Sequence, residues 1–341
     1  MRLRPVIGVF CALFLVIGGA VPASASTSSA HSSGRVGSLN LLKPTLAMNT
    51  AAAQQRAVAT GTEVVVDDLT SPTELTTAMP DGTMQYEVSS VPVRAEQNGT
   101  WVPVDLDLVQ RDGWYEPEAS AMPVRFSAGG SSALAQVLTE GEWVSEVWPH
   151  GDLPAPEVDG DTATYGNVFP DVDLKLVATK TGMASIYVVK TEQAAMSTGL
   201  ADLHVLIDGA QIEETASGTA VAETDSGAQL HSGQPLWWDS SGGGTYREPG
   251  MEEPTIPVTH AVETDRVSMD VGDSVEQHEK RSDTDVEYPI FVDPDWSSGI
   301  SASWYTDAAY PNQSYLSAGA SDVLRVGIYG NYRSDMFFQF P

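Results

Sequence analysis

From about Gly61 onward, turn residues recur every few positions, and the segments between them alternate apolar and polar side chains. Pro80-Asp81-Gly82 precedes the run Thr83-Met84-Gln85-Tyr86-Glu87-Val88, and Gln97-Asn98-Gly99 separates Val91-Pro92-Val93-Arg94 from Trp101–Val109. Asn-Gly between two alternating runs predicts a two-residue hairpin, because both central positions of a type I′ turn need positive φ. Arg111-Asp112-Gly113 predicts the next one. The chain is therefore expected to be all-β, with a sandwich-type domain.

Further strands are predicted at Pro123–Ser127, Leu134–Leu138, Trp143–Trp148, Ala163–Tyr165, Asp173–Thr179, Ala184–Lys190, Leu203–Ile207 and Ala228–His231. Arg266–Val271 and Tyr288–Val292 follow as strands that return to the same domain. One short helix is expected at Glu192–Leu200, the alanine-rich stretch without turn residues. Asp293-Pro294-Asp295-Trp296 marks the end of the domain, since Asp-Pro favours a turn and proline interrupts a ladder.

The two ends differ from this middle. Residues 1–25 read as a secretory signal peptide: Arg2 and Arg4 supply the positive start, Val6–Val21 is apolar, and Ala23-Ser24-Ala25 is a small-residue cleavage site. Residues 26–60 are rich in Ser, Ala and Thr and are expected to be a disordered tail, with a helical turn or two between Ala51 and Val58. The scaffold domain then spans 61–295, with an exposed loop at 240–257 that is rich in Gly, Pro and Glu. Residues 296–341 read as the opening strands of a second β-sandwich. The aromatic run Met336-Phe337-Phe338-Gln339-Phe340 requires partners at both edges, so this module is expected to continue in further domains beyond the chain.

Composition excludes several function classes. The only cysteine, Cys11, lies in the leader, so a mature chain would hold neither thiol nor disulfide. The formal charge of −29 repels nucleic acid and anionic lipid. No Gly-x-Ser-x-Gly elbow occurs, and the six histidines lack metal-ligand spacing. No cofactor is expected, with one qualification: Asp171 and Asp173 are candidate calcium ligands, as hard oxygens clustered near a turn. Asp105 and Asp107 share one strand face with solvent.

The aromatic residues carry the binding expectation. Trp237 and Trp238 are adjacent, so a strand places them on opposite faces and leaves at least one ring open to a ligand. Trp304, Tyr305 and Tyr310 crowd the start of the last module. Flat exposed aromatics on a β-sandwich suit stacking on sugar rings.

Two stretches resemble a known group. Asp307, Pro311, Tyr315, Leu324, Val326, Gly327, Phe337, Phe338 and Phe340 match the first strands of DNRLRE-type modules, classed with carbohydrate-binding module family ninety-six. Arg333-Ser334 sits two residues earlier than the pattern asks. Upstream, the phrases Asn98-Gly99-Thr100-Trp101-Val102-Pro103-Val104-Asp105, Phe169-Pro170-Asp171-Val172-Asp173-Leu174 and Trp238-Asp239-Ser240-Ser241-Gly242 are similar to the N-terminal region of the same secreted bacterial proteins. The resemblance implies a secreted or cell-surface, non-enzymatic scaffold that holds extracellular or cell-wall polysaccharide, with no membrane contact after leader cleavage. It leaves two rivals: a spacer or shell-entry domain of an exported repeat toxin, and a non-catalytic part of a polysaccharide hydrolase.

Overall fold

The computed structural model describes residues 49–215, 218–251, 255–282 and 285–297. Outside these it describes only the backbone of the strands Leu15–Ile17, Ala302–Asp307, Ser317–Ala318, Gly327–Tyr329 and Tyr332–Gln339. The contacts divide the chain into two compact units, 1–101 and 102–341. The division falls in a hairpin of Arg94–Gln97 and Thr100–Pro103, inside the stretch expected to form one domain. Asn98 and Gly99 turn that hairpin with φ of 52° and 73°, and Asp112 and Gly113 turn the next with 49° and 84°, as the type I′ pattern predicts.

The first unit holds an antiparallel sheet in which Glu74–Ala78 lies between Val64–Val65 and Met84–Val88. On the far side of Met84–Val88, Leu15–Ile17 pairs in the register Leu15↔Tyr86. This strand lies within the expected leader, and cleavage after Ala25 would leave Met84–Val88 at the sheet edge. At the end of the expected tail, where a helical turn or two is read at Ala51–Val58, the chain forms a three-turn helix, Thr50–Thr60. Asn49 caps it by accepting from the Ala52 amide at 3.0 Å, and Gly61 ends it in the left-handed conformation. Ala53 and Ala57, one turn apart, bury against Val66 and Ala78, which supplies the tertiary support that a short helix lacks alone.

The second unit is a two-sheet sandwich. One sheet has eight strands, in the order Thr259–Glu263, Arg266–Asp270, Leu203–Asp208, Glu142–Val147, Ala133–Thr139, Val124–Ser127, Trp114–Ala119 and Asp105–Arg111. The other runs Glu157–Asp159, Thr162–Phe169, Val172–Thr179, Gly182–Val189, Asp295–Ser297, Gln229–Ser232, Ala220–Glu223 and Gln211–Glu214. Ile290–Asp293 also pairs with Gly182–Val189 and carries Leu236–Trp238 outward. Alternate residues of both sheets fill the space between, among them Phe126, Leu134, Val144, Trp148, Tyr165, Leu174, Tyr187 and Val292.

A backbone hydrogen bond bridges each pair of sheet edges. The Leu108 amide donates to Gly160 O at 2.8 Å on one side, and the Ile212 amide donates to Thr264 O at 2.8 Å on the other. The helix expected at Glu192–Leu200 is two short ones, Glu192–Ala195 and Thr198–Ala201. A helix absent from the sequence reading, Val271–Ser282, starts directly where a strand ends. Asp270 Oδ1 accepts from the Asp273 amide at 2.8 Å, and Val271 and Val275 bury one face.

The segment 240–257 is more than an exposed loop. Tyr246 packs with Trp238, Val177, Ile186 and Phe291 in a small second core on the outer face of the larger sheet. Arg247 grips Asp161 with two bonds, Nη1 to Oδ2 at 3.1 Å and Nη2 to Oδ1 at 2.6 Å.

The C-terminal strands form a sheet in the order Ser317–Ala318, Ala302–Asp307, Tyr332–Gln339, Gly327–Tyr329. The run containing Met336-Phe337-Phe338, read as needing partners at both edges, has one along a single edge. It pairs with Ala302–Asp307 along its length, and with Gly327–Tyr329 as far as Ser334.

Candidate functional site

The sugar-stacking expectation fails at Trp237 and Trp238. Register places Trp237 opposite Val292 and Trp238 opposite Phe291, so the indoles do point to opposite faces, but both faces are covered. Trp237 is 1% exposed, in the main core with its ring edge-on to His278 of the unforeseen helix. Trp238 is 5% exposed beside Phe291, with Nε1 donating to Thr245 O at 2.8 Å. Neither ring offers a face to a ligand. Trp304 and Tyr305 lie on the strand Ala302–Asp307, in register with Phe337 and Met336. Tyr310 lies outside the described residues.

Nor do Asp171 and Asp173 make a cation site. Asp171 occupies a left-handed turn position, while Asp173 Oδ1 accepts from Lys190 Nζ at 2.7 Å and from the Asn167 amide at 2.8 Å. A lysine ammonium thus holds the place a calcium ion would take. Among the described residues, no group of three or more His, Cys, Asp or Glu could hold a metal.

Glu146 sits between the sheets, where burial pushes its carboxyl up to about 7, against opposing hydrogen bonds from Trp296 and Ser185. Tyr187 lies close by with its hydroxyl buried and unpaired, and burial followed by the Glu146 charge raises its pKa well above the usual phenol value. Asp293 is also pushed up to about 7, first by burial and then by Asp295, and its Oδ1 has no partner. Asp295 spends one oxygen on the Gly233 amide at 3.0 Å.

Behind these, Trp148, His150, Phe169 and His204 pack ring against ring, with the two imidazoles 4.5 Å apart. His204 Nδ1 meets Asp202 O at 2.8 Å and Arg266 Nη2 meets its Nε2 at 3.2 Å, so its polar atoms are engaged. Burial lowers the His150 pKa. Glu146 is sealed in the sandwich core, away from solvent, whereas Asp293 and Asp295 are half-buried.

Two arrangements face solvent. An open groove of about 560 Å³ crosses the hairpins at one end of the larger sheet, bordered by Glu213, Glu214, Glu223 and Asp225. On the outward face of the eight-stranded sheet, the half-buried indoles of Trp114 and Trp143 flank the Arg125 guanidinium at 4.8 and 4.2 Å from their ring centroids. Arg125 Nε donates to Gln136 Oε1 at 2.6 Å, and Gln136 Nε2 donates to Ser145 Oγ at 2.7 Å. Sequence reasoning passed over this group, although a signal was available. Trp114, Arg125, Gln136, Trp143 and Ser145 each hold the outward phase of an alternating strand.

Set against known proteins, the chain matches no family model, no curated protein and no solved structure.

Proposed function

We propose that the chain is a non-enzymatic scaffold and attachment region of a larger extracellular protein, one that holds polysaccharide. The observation supporting this reading is the side-chain-filled two-sheet sandwich of the second unit. Its interior is filled by side chains, a backbone hydrogen bond bridges each pair of sheet edges, Leu108 to Gly160 and Ile212 to Thr264, and its fully buried perturbed acid, Glu146, lies inside rather than in a cleft. A body of this construction suits holding position and presenting a surface. Export of the chain, and the likeness of its two regions to DNRLRE-type proteins, belong to the same proposal. The attachment residues under it are Trp304 and Tyr305, on the strand Ala302–Asp307.

One observation favours a second reading, a spacer without affinity for sugar: the two tryptophans foreseen as stacking rings are core residues. A pull-down of the full chain on insoluble cell-wall and plant polysaccharides separates the two. Retention weakened by Trp304→Ala or Tyr305→Ala supports attachment through that strand, whereas absence of retention on every polymer supports the spacer.

A further inference from the structure

We propose that the outward face of the eight-stranded sheet around Trp114, Arg125, Gln136, Trp143 and Ser145 is a docking platform for a neutral polysaccharide chain. The inference rests on the polysaccharide-holding reading above and places a contact surface on the sandwich itself. The five residues come from four consecutive strands, Trp114–Ala119, Val124–Ser127, Ala133–Thr139 and Glu142–Val147, and Arg125, Gln136 and Ser145 stand side by side in register. Three strand spacings make the row about 14 Å wide. That is room for more than one sugar ring.

Each component fits sugar chemistry. An indole presents a flat apolar face to the C–H side of a pyranose. Arg125 and Gln136 offer hydrogen-bond donors to hydroxyls, and their mutual bond, continued to Ser145, fixes the long side chains before a ligand arrives. Arg94, Arg111 and Arg247 each pair with acids, whereas among the described residues no carboxylate forms an ion pair with Arg125, despite 46 acidic residues in the sequence. Its cation instead lies over two indole rings, 4.8 Å from the centroid of Trp114 and 4.2 Å from that of Trp143.

Charge selects the class of polymer. A net charge of −29 repels polyuronates, and Asp208, the register neighbour of Ser145, adds an exposed acid at the end of the row. A neutral glycan meets no such barrier, and its hydroxyls serve both the donors and the flanking acid.

Affinity electrophoresis of the full chain tests this in gels containing xyloglucan, mixed-linkage β-glucan, arabinoxylan, galactomannan or polygalacturonate. Retardation by at least one neutral polymer is expected, and Trp114→Ala and Trp143→Ala should each weaken it by about five- to tenfold. Trp143→Phe should fall between, and Gln136→Ala gives an independent reading should an indole variant fail to fold. If Trp304→Ala/Tyr305→Ala abolishes retardation while the Trp114, Trp143 and Gln136 variants leave it intact, the platform is rejected and attachment through the C-terminal strand stands. Retardation by polygalacturonate alone overturns the neutral-glycan assignment. No retardation by any polymer rejects both the platform and the polysaccharide-holding reading.

Discussion

Glu146 and Asp293 make the fold respond to pH. Both carboxyls are held near 7 in the folded chain, whereas an unfolded carboxylate titrates near 4. Between roughly pH 4 and 7 the unfolded chain has lost these protons and the folded chain keeps them, so stability falls as pH rises through that window and levels off above it. Glu146→Gln should remove part of the slope, raising stability at pH 8 relative to pH 5 by about 1–3 kcal/mol. Asp293→Asn should do the same by less, because Asp293 keeps more contact with solvent. Urea midpoints of wild type and variants at the two pH values check this, and parallel slopes would contradict it. The buried indoles give a prediction of another kind. Trp237→Ala should cost about 3–5 kcal/mol by opening a core cavity, with no change in polysaccharide retention per folded molecule. Gly182 is constrained by proximity, since a Cβ there would overlap Trp296 O and Ser297 Cα of the neighbouring strand. Gly182→Ala must therefore push the strand Asp295–Ser297 away.

Among the elements, the segment 240–251 and the helix Val271–Ser282 illustrate two ways of covering a sheet. The segment is fastened at its tip by Arg247 on Asp161, a pair that is 48% and 25% exposed and so contributes under about 1 kcal/mol to global stability. Its effect should be local. Arg247→Ala is expected to speed chymotrypsin or thermolysin cleavage within 240–251 while leaving the thermal midpoint nearly unchanged. A large drop in midpoint would mean that the outer core around Trp238 depends on the latch more than the ion pair suggests. The helix depends on its start, where Ser274 Oγ donates to Asp270 O at 2.7 Å and accepts from the Thr259 amide at 2.7 Å, tying helix to edge strand. Asp270→Ala removes the acceptor for the Asp273 amide and should cost about 1 kcal/mol, read from denaturant unfolding.

At the scale of the whole molecule, the interior of the second unit spans both sheets, so its unfolding should be a single cooperative event for residues 102–297. Recombinant 102–297 should give a strand-type circular dichroism spectrum and one thermal transition. Two resolved transitions would show that the sheets are held separately, against the shared core. The long-range pairings behind that core, such as Ser145 with Asp208 and Ala184 with Asp295, predict slow folding for its size.

The class of the fold was readable from residues alone, because alternation and turn chemistry act within a few positions. Asn98-Gly99 and Asp112-Gly113 needed only their own φ preferences to make hairpins, and the strands from Val124 to Asp208 lie within four residues of where alternation put them, except Glu157–Asp159, which alternation did not mark. The helix Val271–Ser282 was hidden because it follows a strand without an intervening turn, and its apolar face is only Val271 and Val275. The two tryptophans mark a different limit. Sequence correctly assigns Trp237 and Trp238 to opposite faces of a strand, but it cannot say that one face meets the opposing sheet and the other the folded-back segment 240–251. Exposure is a property of what lands on a surface, and here that comes from residues distant along the chain, such as Tyr246, His278 and Phe291. For the same reason Trp114 and Trp143, ordinary members of alternating strands in the sequence, became a solvent-facing pair around Arg125 only when four strands were laid side by side.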